Sequence, residues 1–398
     1  MTKRVTLFEP PPLDASKAPI ENVLELTPVL DIGPDVFTNT RPLWHPPGAR
    51  GIYGGAAIAQ SLSAAQRTVP SNFTVHSMHC YFVLAGDSEI PIMYHVERVR
   101  DGRSFATRTV QARQRGRPIF TTTLSFSRED SGGKKKLEHA ARMPSVPPPE
   151  ETAPTPGREH RSPFESQKVG IVNAGSNNPE DKRSRQWIRA RGRISAAGGH
   201  QAHLSALAYM SDSYFIGTVS RVHDIPRFAS PAALQRVLQS LKNPSDLDSD
   251  TIARYLKDLA EDEKAQAEAT VAELRAAAAN QQADGTPLDA SKISSIINRN
   301  NNIRKKKDTR EIGMMVSLDH TIYFHNPRAF RADEWMFSEM ESPWAGEGRG
   351  LVMQKLWSRD GVLIATCVQE GVVRLKQDED EESNGNSNSN KPSREAKL

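Results

Sequence analysis

Cysteine is scarce in this chain of 398 residues, which contains only Cys80 and Cys367. Both lie in apolar, strand-like stretches, so we expect two reduced core residues in an intracellular protein rather than a disulfide. Long apolar runs are also missing, because no stretch approaches the roughly 18 residues needed to span a bilayer. Residues 1–12 lack the apolar core of a signal peptide. These absences argue against a disulfide scaffold and a transmembrane helix.

Motifs for metals and nucleotides are missing as well. The chain has no phosphate-binding loop and no dinucleotide fingerprint, and His76 and His79 do not share a strand face. We therefore expect no metal and no cofactor. The net charge of +4 comes from mixed acidic and basic residues, which argues against nucleic acid, although a basic surface would suit a polyanionic ligand.

The chain does contain an internal repeat of one helix-like run followed by strand-like runs. The first copy has a helix over 53–68 and strands over 73–84, 91–100, 104–114 and 117–127. The second copy has a helix over 201–215 and strands over 314–324, 335–342, 349–357 and 362–374. The repeat predicts an α+β fold of two similar units, each with a helix against an antiparallel sheet.

The segments around the two copies have a different composition, because the hydrophobic fraction of 37% is low for a fully globular chain. We predict a flexible N-terminus (1–19), a first domain (20–127), a hydrated Pro-rich linker (128–184), a second domain (185–376) with a helical insertion (223–310), and a disordered tail (377–398). The insertion is a lid, a partner-binding segment or a tolerated surface excursion.

Three polar residues of the second copy are candidates for chemistry. Asp212 lies on the edge of an apolar helix stripe near the helix end, where the dipole disfavours a carboxylate. It therefore either has hydrogen-bond partners in the core or caps the following turn. Ser317 shares a predicted strand face with Asp319 and Thr321. Gln369 lies on an apolar face, where its amide would either hold a water or be satisfied by backbone at a bulge.

A Ser–His–Asp triad is the competing interpretation, since Ser317, Asp319 and His320 are neighbours. Side chains alternate along a strand, so His320 points away from Ser317. The sequence around Ser317 also lacks a Gly-x-Ser-x-Gly elbow. We therefore reject a triad.

Several motifs in order carry a family resemblance: "RPLWHPPGARGIYGGAAIAQSLSAA", "VHSMHCYFVLAGD", "RVRDGRSFATRTVQARQRGRPIF", "LAYMSDSYF", "LDHTIYFH" and "DGVLIATCVQEGVVR". Together they resemble the acyl-CoA thioesterase II family over about 20–127 and 185–376, without the insertion. The resemblance implies a double hotdog fold, in which each of two domains wraps an antiparallel sheet around a central helix. It also implies hydrolysis of fatty acyl-CoA thioesters to free acid and CoA.

The family's catalytic Asp, Ser or Thr, and Gln correspond to Asp212, Ser317 and Gln369, which would activate a water molecule. The resemblance also suggests substrate contacts, for which the candidates are Gly54, Gly55, Arg103, Arg108 and Arg113. The arginines would bind CoA phosphates, or would simply form a solvated strand face. Two alternative functions compete with this interpretation. An enoyl-CoA hydratase would place an Asp/His pair near a helix start, which Asp212 does not match, whereas a non-catalytic acyl-CoA binder or scaffold stays open.

The last three residues, Ala396, Lys397 and Leu398, are a variant of the Ser-Lys-Leu peroxisomal signal. An extended, solvated tail would present them to an import receptor, which predicts a location in the peroxisome matrix. The sequence leaves the acyl chain length open and allows a homo-oligomer.

We predict that one residue added after Leu398 abolishes this targeting, because it moves the carboxylate and the aliphatic side chain out of register together. With a fluorescent protein at the N-terminus, cells should show puncta for the native end and a diffuse signal for the extended one. Thioesterase activity should not change. Puncta that persist would show that another signal or a partner carries the protein.

Overall fold

The computed structural model describes residues 10–44, 51–151, 162–225, 310 and 312–377. The predicted insertion (223–310) and the tail with Ala396-Lys397-Leu398 therefore lie almost entirely outside the described residues. Within the described ranges, no helix combines the length and the apolar character needed to cross a membrane.

The first half of the chain contains the helices α1 (Pro19–Leu24) and α2 (Gly54–Gln66) in its described part. Its strands are β1 (Leu26–Pro28), β2 (Val36–Asn39), β3 (Phe73–Phe82), β4 (Met93–Asp101), β5 (Phe105–Gln114) and β6 (Arg117–Arg128). The structure confirms the predicted helix and the four predicted strands. The short elements α1, β1 and β2 were not predicted, because elements of this length show too little periodicity.

The second half contains α3 (Gly199–Ser211) and α4 (Gly217–Val222) among the described residues. Its strands are β7 (Phe164–Val172), β8 (Arg183–Ala190), β9 (Ile312–Ser317), β10 (Asp319–Phe324), β11 (Met336–Gly346), β12 (Arg349–Trp357) and β13 (Leu363–Leu375). One predicted element is shorter than expected and one is divided. The helix over 201–215 ends before Tyr214, which has a φ of +59°, and the strand over 314–324 breaks at Leu318.

All of these strands belong to one antiparallel sheet. Its order is β1-β2-β4-β5-β6-β3-β10-β13-β12-β11-β8-β7, with β9 paired to β13. The order on one side of the β3–β10 joint repeats in reverse on the other side. At the joint Thr321 pairs with His79, and Tyr323–Ser77 and Asp319–Tyr81 follow symmetrically. An approximate two-fold axis therefore relates the halves, and Thr321 is the counterpart of His79.

Helices α2 and α3 pack against each other in opposite directions. Near one end Tyr53 Oη donates to the carbonyl of Tyr209 (2.9 Å), and further along Ser63 Oγ donates to Ser205 Oγ (3.1 Å). Both helices are almost fully buried in a core that the two halves share. Cys80 and Cys367 lie in this core as free thiols, as predicted.

Part of the predicted linker (128–184) is packed structure, which corrects the expectation of a hydrated connection. Strand β7 lies within it, and the extended segment 139–151 crosses the outer face of the second half. The indoles of Trp187 and Trp357 donate to the carbonyls of Pro147 and Ala141, each at 3.0 Å. Met143 and Val146 pack on the same aromatic cluster. An extended Pro-rich backbone leaves its carbonyls free, so it supplies the acceptors that buried indoles need.

The predicted flexible N-terminus (1–19) is also anchored in its described part. The backbone N–H of Asp14 donates to Asn22 Oδ1 (2.9 Å), and Arg41 Nη2 donates to the carbonyl of Pro12 (2.9 Å). Ala18 is buried. Local hydrogen bonds hold this segment on the first half despite its polar composition.

Arg108 is buried inside the first half, so it is not part of the predicted basic surface. All five of its N–H donors have acceptors, provided by Thr68 Oγ1, Asp101 Oδ1 and the carbonyls of Thr68, Arg100 and Thr107 at 2.5–3.0 Å. In the alternating pattern of β5 Arg108 shares a face with the buried Ala106 and Val110, which indicates a side chain that points inward. The arginine therefore ties the end of α2 to the β4–β5 hairpin and is unavailable to CoA phosphates.

Replacing Arg108 by Met should lower the free energy of unfolding by about 2–4 kcal/mol, because buried carbonyls lose their donors. The Michaelis constant for acyl-CoA should stay unchanged. Arg103→Met is the matched control, since Arg103 is exposed and should change stability by less than about 0.5 kcal/mol. Urea denaturation measures both variants. Equal stability of the two would show that Arg108 has no structural role.

Candidate active site

Asp212 lies at the C-terminal end of α3 as its C-cap residue, with φ −80° and ψ −4°. Its carboxylate is only 10% exposed. The dipole of α3 disfavours a negative charge there, so the carboxylate depends on contacts from other elements. The structure thus favours the first of the two sequence interpretations, a carboxylate with partners in the core.

The first turn of α2 provides one of these contacts. A Cβ atom on Gly54 would lie 2.8 Å from Asp212 Oδ2, and a Cβ atom on Gly55 would lie 2.2 Å from the carbonyl of Tyr209. Only glycine permits this close approach. The positive end of the α2 dipole therefore faces the carboxylate and offsets the unfavourable dipole of α3.

Gln369 provides the second contact from β13. Its Nε2 donates to Asp212 Oδ1 (2.9 Å) and lies 3.0 Å from His320 Nδ1. The side chain is fully buried. Its Oε1 is buried without a hydrogen-bond partner among the described residues. A buried acceptor left in this state is costly unless a water or a ligand occupies the site.

Ser317 lies on the same face as Gln369, which corrects the predicted face. It pairs with Gly371, two residues beyond Gln369 on β13, and directly paired residues share a face. Leu318 is an extra residue between β9 and β10, so it reverses the alternation relative to Asp319. A single continuous strand would have placed Ser317 on the outer face with Asp319, away from His320. The structure puts Ser317 and His320 on the same inner face, so the expectation that His320 points away from Ser317 was wrong.

His320 is a site residue that the sequence analysis missed. It is fully buried next to Gln369, and its Nε2 lies 3.0 Å from Ser211 Oγ. Burial lowers the pKa of His320 to about 3, so the imidazole is neutral. His320 Nδ1 and Asp212 Oδ1 are 4.0 Å apart, beyond hydrogen-bond distance. Alternation along β10 already indicated an inward side chain, and that was the available signal.

The equivalent positions in the first half lack these groups. The C-cap of α2 is Arg67 where α3 ends in Asp212. From the matched registers of β3–β6 and β10–β13, Val75, Leu124 and Met78 correspond to Ser317, Gln369 and His320. All three are buried apolar side chains. In the described part of the chain, the polar network therefore occupies one of the two symmetry-related sites.

The structure does not bring the remaining arginine candidates together. Arg103 is exposed before β5, and Arg113 is half-buried at the far end of that strand, where it donates to Gln111 Oε1 (3.0 Å). Ten residues of strand separate them by about 30 Å. Arg113 lies at the end of β5 nearer the candidate site. Its neighbour Ala112 pairs with Phe120 on β6, which in turn pairs with Phe82 on β3. Phe82 lies against Gly54.

The chain is similar to known acyl-CoA thioesterases along most of its length. Family models described as the acyl-CoA thioesterase C-terminal and N-terminal domains match residues 144–373 and 41–127. Acyl-coenzyme A thioesterase 8 of Homo sapiens is 31% identical over 388 residues, which is 92% of each chain. A crystal structure of acyl-CoA thioesterase II TesB2 from Mycobacterium marinum is 26% identical, with a TM-score of 0.55 over 90% of this chain and 97% of that one. Peroxisomal acyl-coenzyme A thioester hydrolase 1 of Saccharomyces cerevisiae is 34% identical over 134 residues, 34% of this chain and 38% of that protein.

The buried, neutral His320 predicts a pH dependence of stability. Its pKa is about 3 in the folded protein and about 6.5 when unfolded. Its contribution to the free energy of unfolding is therefore complete above pH 6.5 and is lost as the pH falls below that. From pH 7.5 to pH 5.0 the loss is about 2 kcal/mol. The His320→Met variant has no imidazole to titrate here, so between pH 7.5 and pH 5.0 its free energy of unfolding should fall by about 2 kcal/mol less than that of the native protein. Urea denaturation at both pH values measures it, and a pH-independent difference would show that His320 titrates normally.

Proposed function

The chain belongs to the acyl-CoA thioesterase II family and hydrolyses acyl-CoA thioesters, and we propose that Asp212, Ser317 and Gln369 hold the attacking water. The observation that carries the proposal is the buried Oε1 of Gln369, which has no hydrogen-bond partner in the described part of the chain, while the amide nitrogen already donates to Asp212. A water in this place would donate to Gln369 Oε1 and to the carboxylate, with the Ser317 hydroxyl on the same face.

The water oxygen attacks the thioester carbonyl carbon, and Asp212 accepts the proton as general base. Collapse of the tetrahedral intermediate breaks the C–S bond. The protonated Asp212 then returns its proton to the departing thiolate, which leaves free CoA and a carboxylic acid. The reaction needs no covalent acyl-enzyme and no histidine base, and burial lowers the pKa of His320 to about 3, which makes its imidazole a weak base at neutral pH.

The first turn of α2 is the proposed site of the oxyanion. The first N–H groups of a helix have no carbonyl acceptor within the helix, and the dipole favours negative charge there. Gly54 and Gly55 form this turn beside Asp212. For the phosphates of CoA the remaining candidate is Arg113, since Arg108 is buried and Arg103 lies at the opposite end of β5.

We also propose that the two halves are fused hotdog domains with fatty acyl-CoA as substrate. The symmetric sheet order and the antiparallel helix pair support the first point. Strand β7 extends the second domain beyond its predicted start at residue 185. A peroxisomal location, reached through an import receptor, is supported by the description of the yeast relative and by the tripeptide at 396–398.

Asp212→Asn should fold normally and lower turnover by about 10²-fold, as the loss of a general base usually does. Ser317→Ala and Gln369→Ala should also lower it, and either change combined with Asp212→Asn should add less than its separate effect. Thiol release from acyl-CoA measures the rates. Asp319→Asn is the matched control, because Asp319 lies one residue from His320 and faces away from the site.

Near-native turnover of Asp212→Asn would overturn this mechanism. If the native protein binds acyl-CoA but releases no thiol, it is a non-catalytic acyl-CoA binder.

A further inference from the structure

Asp212 determines which way the amide of Gln369 points. An ionised carboxylate only accepts hydrogen bonds, so the Gln369 atom 2.9 Å from Asp212 Oδ1 must be the nitrogen. The opposite orientation would place two acceptor oxygens against each other. The amide oxygen of Gln369 is therefore the atom left free for the proposed water.

The same nitrogen then determines the tautomer of His320. Gln369 Nε2 lies 3.0 Å from His320 Nδ1, and because it is a donor, Nδ1 must be unprotonated. A neutral imidazole then carries its proton on Nε2, which donates to Ser211 Oγ at 3.0 Å. The Ser211 hydroxyl in turn donates to the carbonyl of Ala208 at 3.0 Å. Every donor in this series of hydrogen bonds meets an acceptor.

We propose that His320 is a positioning residue, which holds the Gln369 amide so that its oxygen faces the water. The inference rests on the proposed role of Gln369. Gln369 Nε2 has two hydrogens, one donated to Asp212 Oδ1 and the other to His320 Nδ1. These two hydrogen bonds together fix the orientation of the amide. Without an acceptor at His320 Nδ1, one hydrogen would be buried without a partner and the amide would be free to turn.

Packing alone does not require a histidine at this position. Its equivalent in the first half is Met78, which is also fully buried. The same kind of core therefore accepts an unbranched apolar side chain of similar length. What distinguishes the second half is the acceptor that Nδ1 presents to Gln369.

Two amide substitutions at this position separate positioning from packing. In His320→Asn, the side-chain oxygen stands near the place of Nδ1, so the acceptor for Gln369 is kept. In His320→Gln, the amide nitrogen stands near the place of Nε2, so the donor to Ser211 is kept and the acceptor is lost. We expect kcat to stay within about threefold for His320→Asn. It should fall about tenfold for His320→Gln and His320→Met, as the loss of one hydrogen bond implies, with little change in KM.

A second measurement reads the tautomer of His320 in the native protein. Imidazole nitrogen shifts of ¹⁵N-histidine-labelled native protein, assigned to His320 with the Asn variant, should show the tautomer with its proton on Nε2. A proton on Nδ1 would overturn the proposal. In a Gln369→Ala background, His320→Met should have no further effect on kcat.

The outcomes separate the two proposals. If Gln369→Ala leaves turnover unchanged, the proposed water site at Gln369 is wrong. If Gln369→Ala lowers turnover but His320→Asn and His320→Gln lose the same amount, the water site stands and His320 acts only in packing.

Discussion

The close approach of the α2 N-terminus to the α3 C-terminus is the constraint on which the site depends. Gly54 and Gly55 have no Cβ, and any Cβ there would collide with Asp212 and the Tyr209 carbonyl. Because the helices run in opposite directions, the positive end of one dipole meets a carboxylate held at the negative end of the other. A charge that α3 alone would disfavour becomes stable in the core, next to the N–H groups suited to an oxyanion.

The scaffold is duplicated, but its chemistry is not. The bulge at Leu318 has a counterpart in β3, where the register shifts between Val75 and Ser77. The backbones of the two halves therefore have the same irregularity at this position. The halves differ in the side chains that they place there. Leu124 and Met78 fill the first half with apolar packing, whereas Gln369 and His320 form hydrogen bonds in the second, where the Gln369 Oε1 atom has no partner among the residues that the structure describes. A buried polar network with an unpaired acceptor destabilises the fold unless a ligand donates to that acceptor, and such a network binds its ligand specifically.

Much of the fold was predictable from the sequence, because hydrophobic periodicity reports which residues face a core. The helices, the long strands and the paired halves follow from it, and so do the buried thiols. Composition was less reliable. The segment 139–151 is Pro-rich and was predicted to be hydrated, yet it covers Trp187 and Trp357. Composition reports average solubility and carries no information about which distant aromatic face a segment covers.

The sequence by itself determined the residue types of the proposed site and their order, since the motifs around Asp212, Ser317 and Gln369 carry the family resemblance. Only the tertiary structure decided their geometry. One extra residue at Leu318 turned Ser317 to the inner face, and local alternation cannot reveal a bulge without the partner strand. Burial made Arg108 structural and His320 neutral. Local alternation indicates that both side chains point inward, but the acceptors around Arg108 and the apolar burial of His320 depend on segments far apart in the chain, such as Thr68 and Ser211.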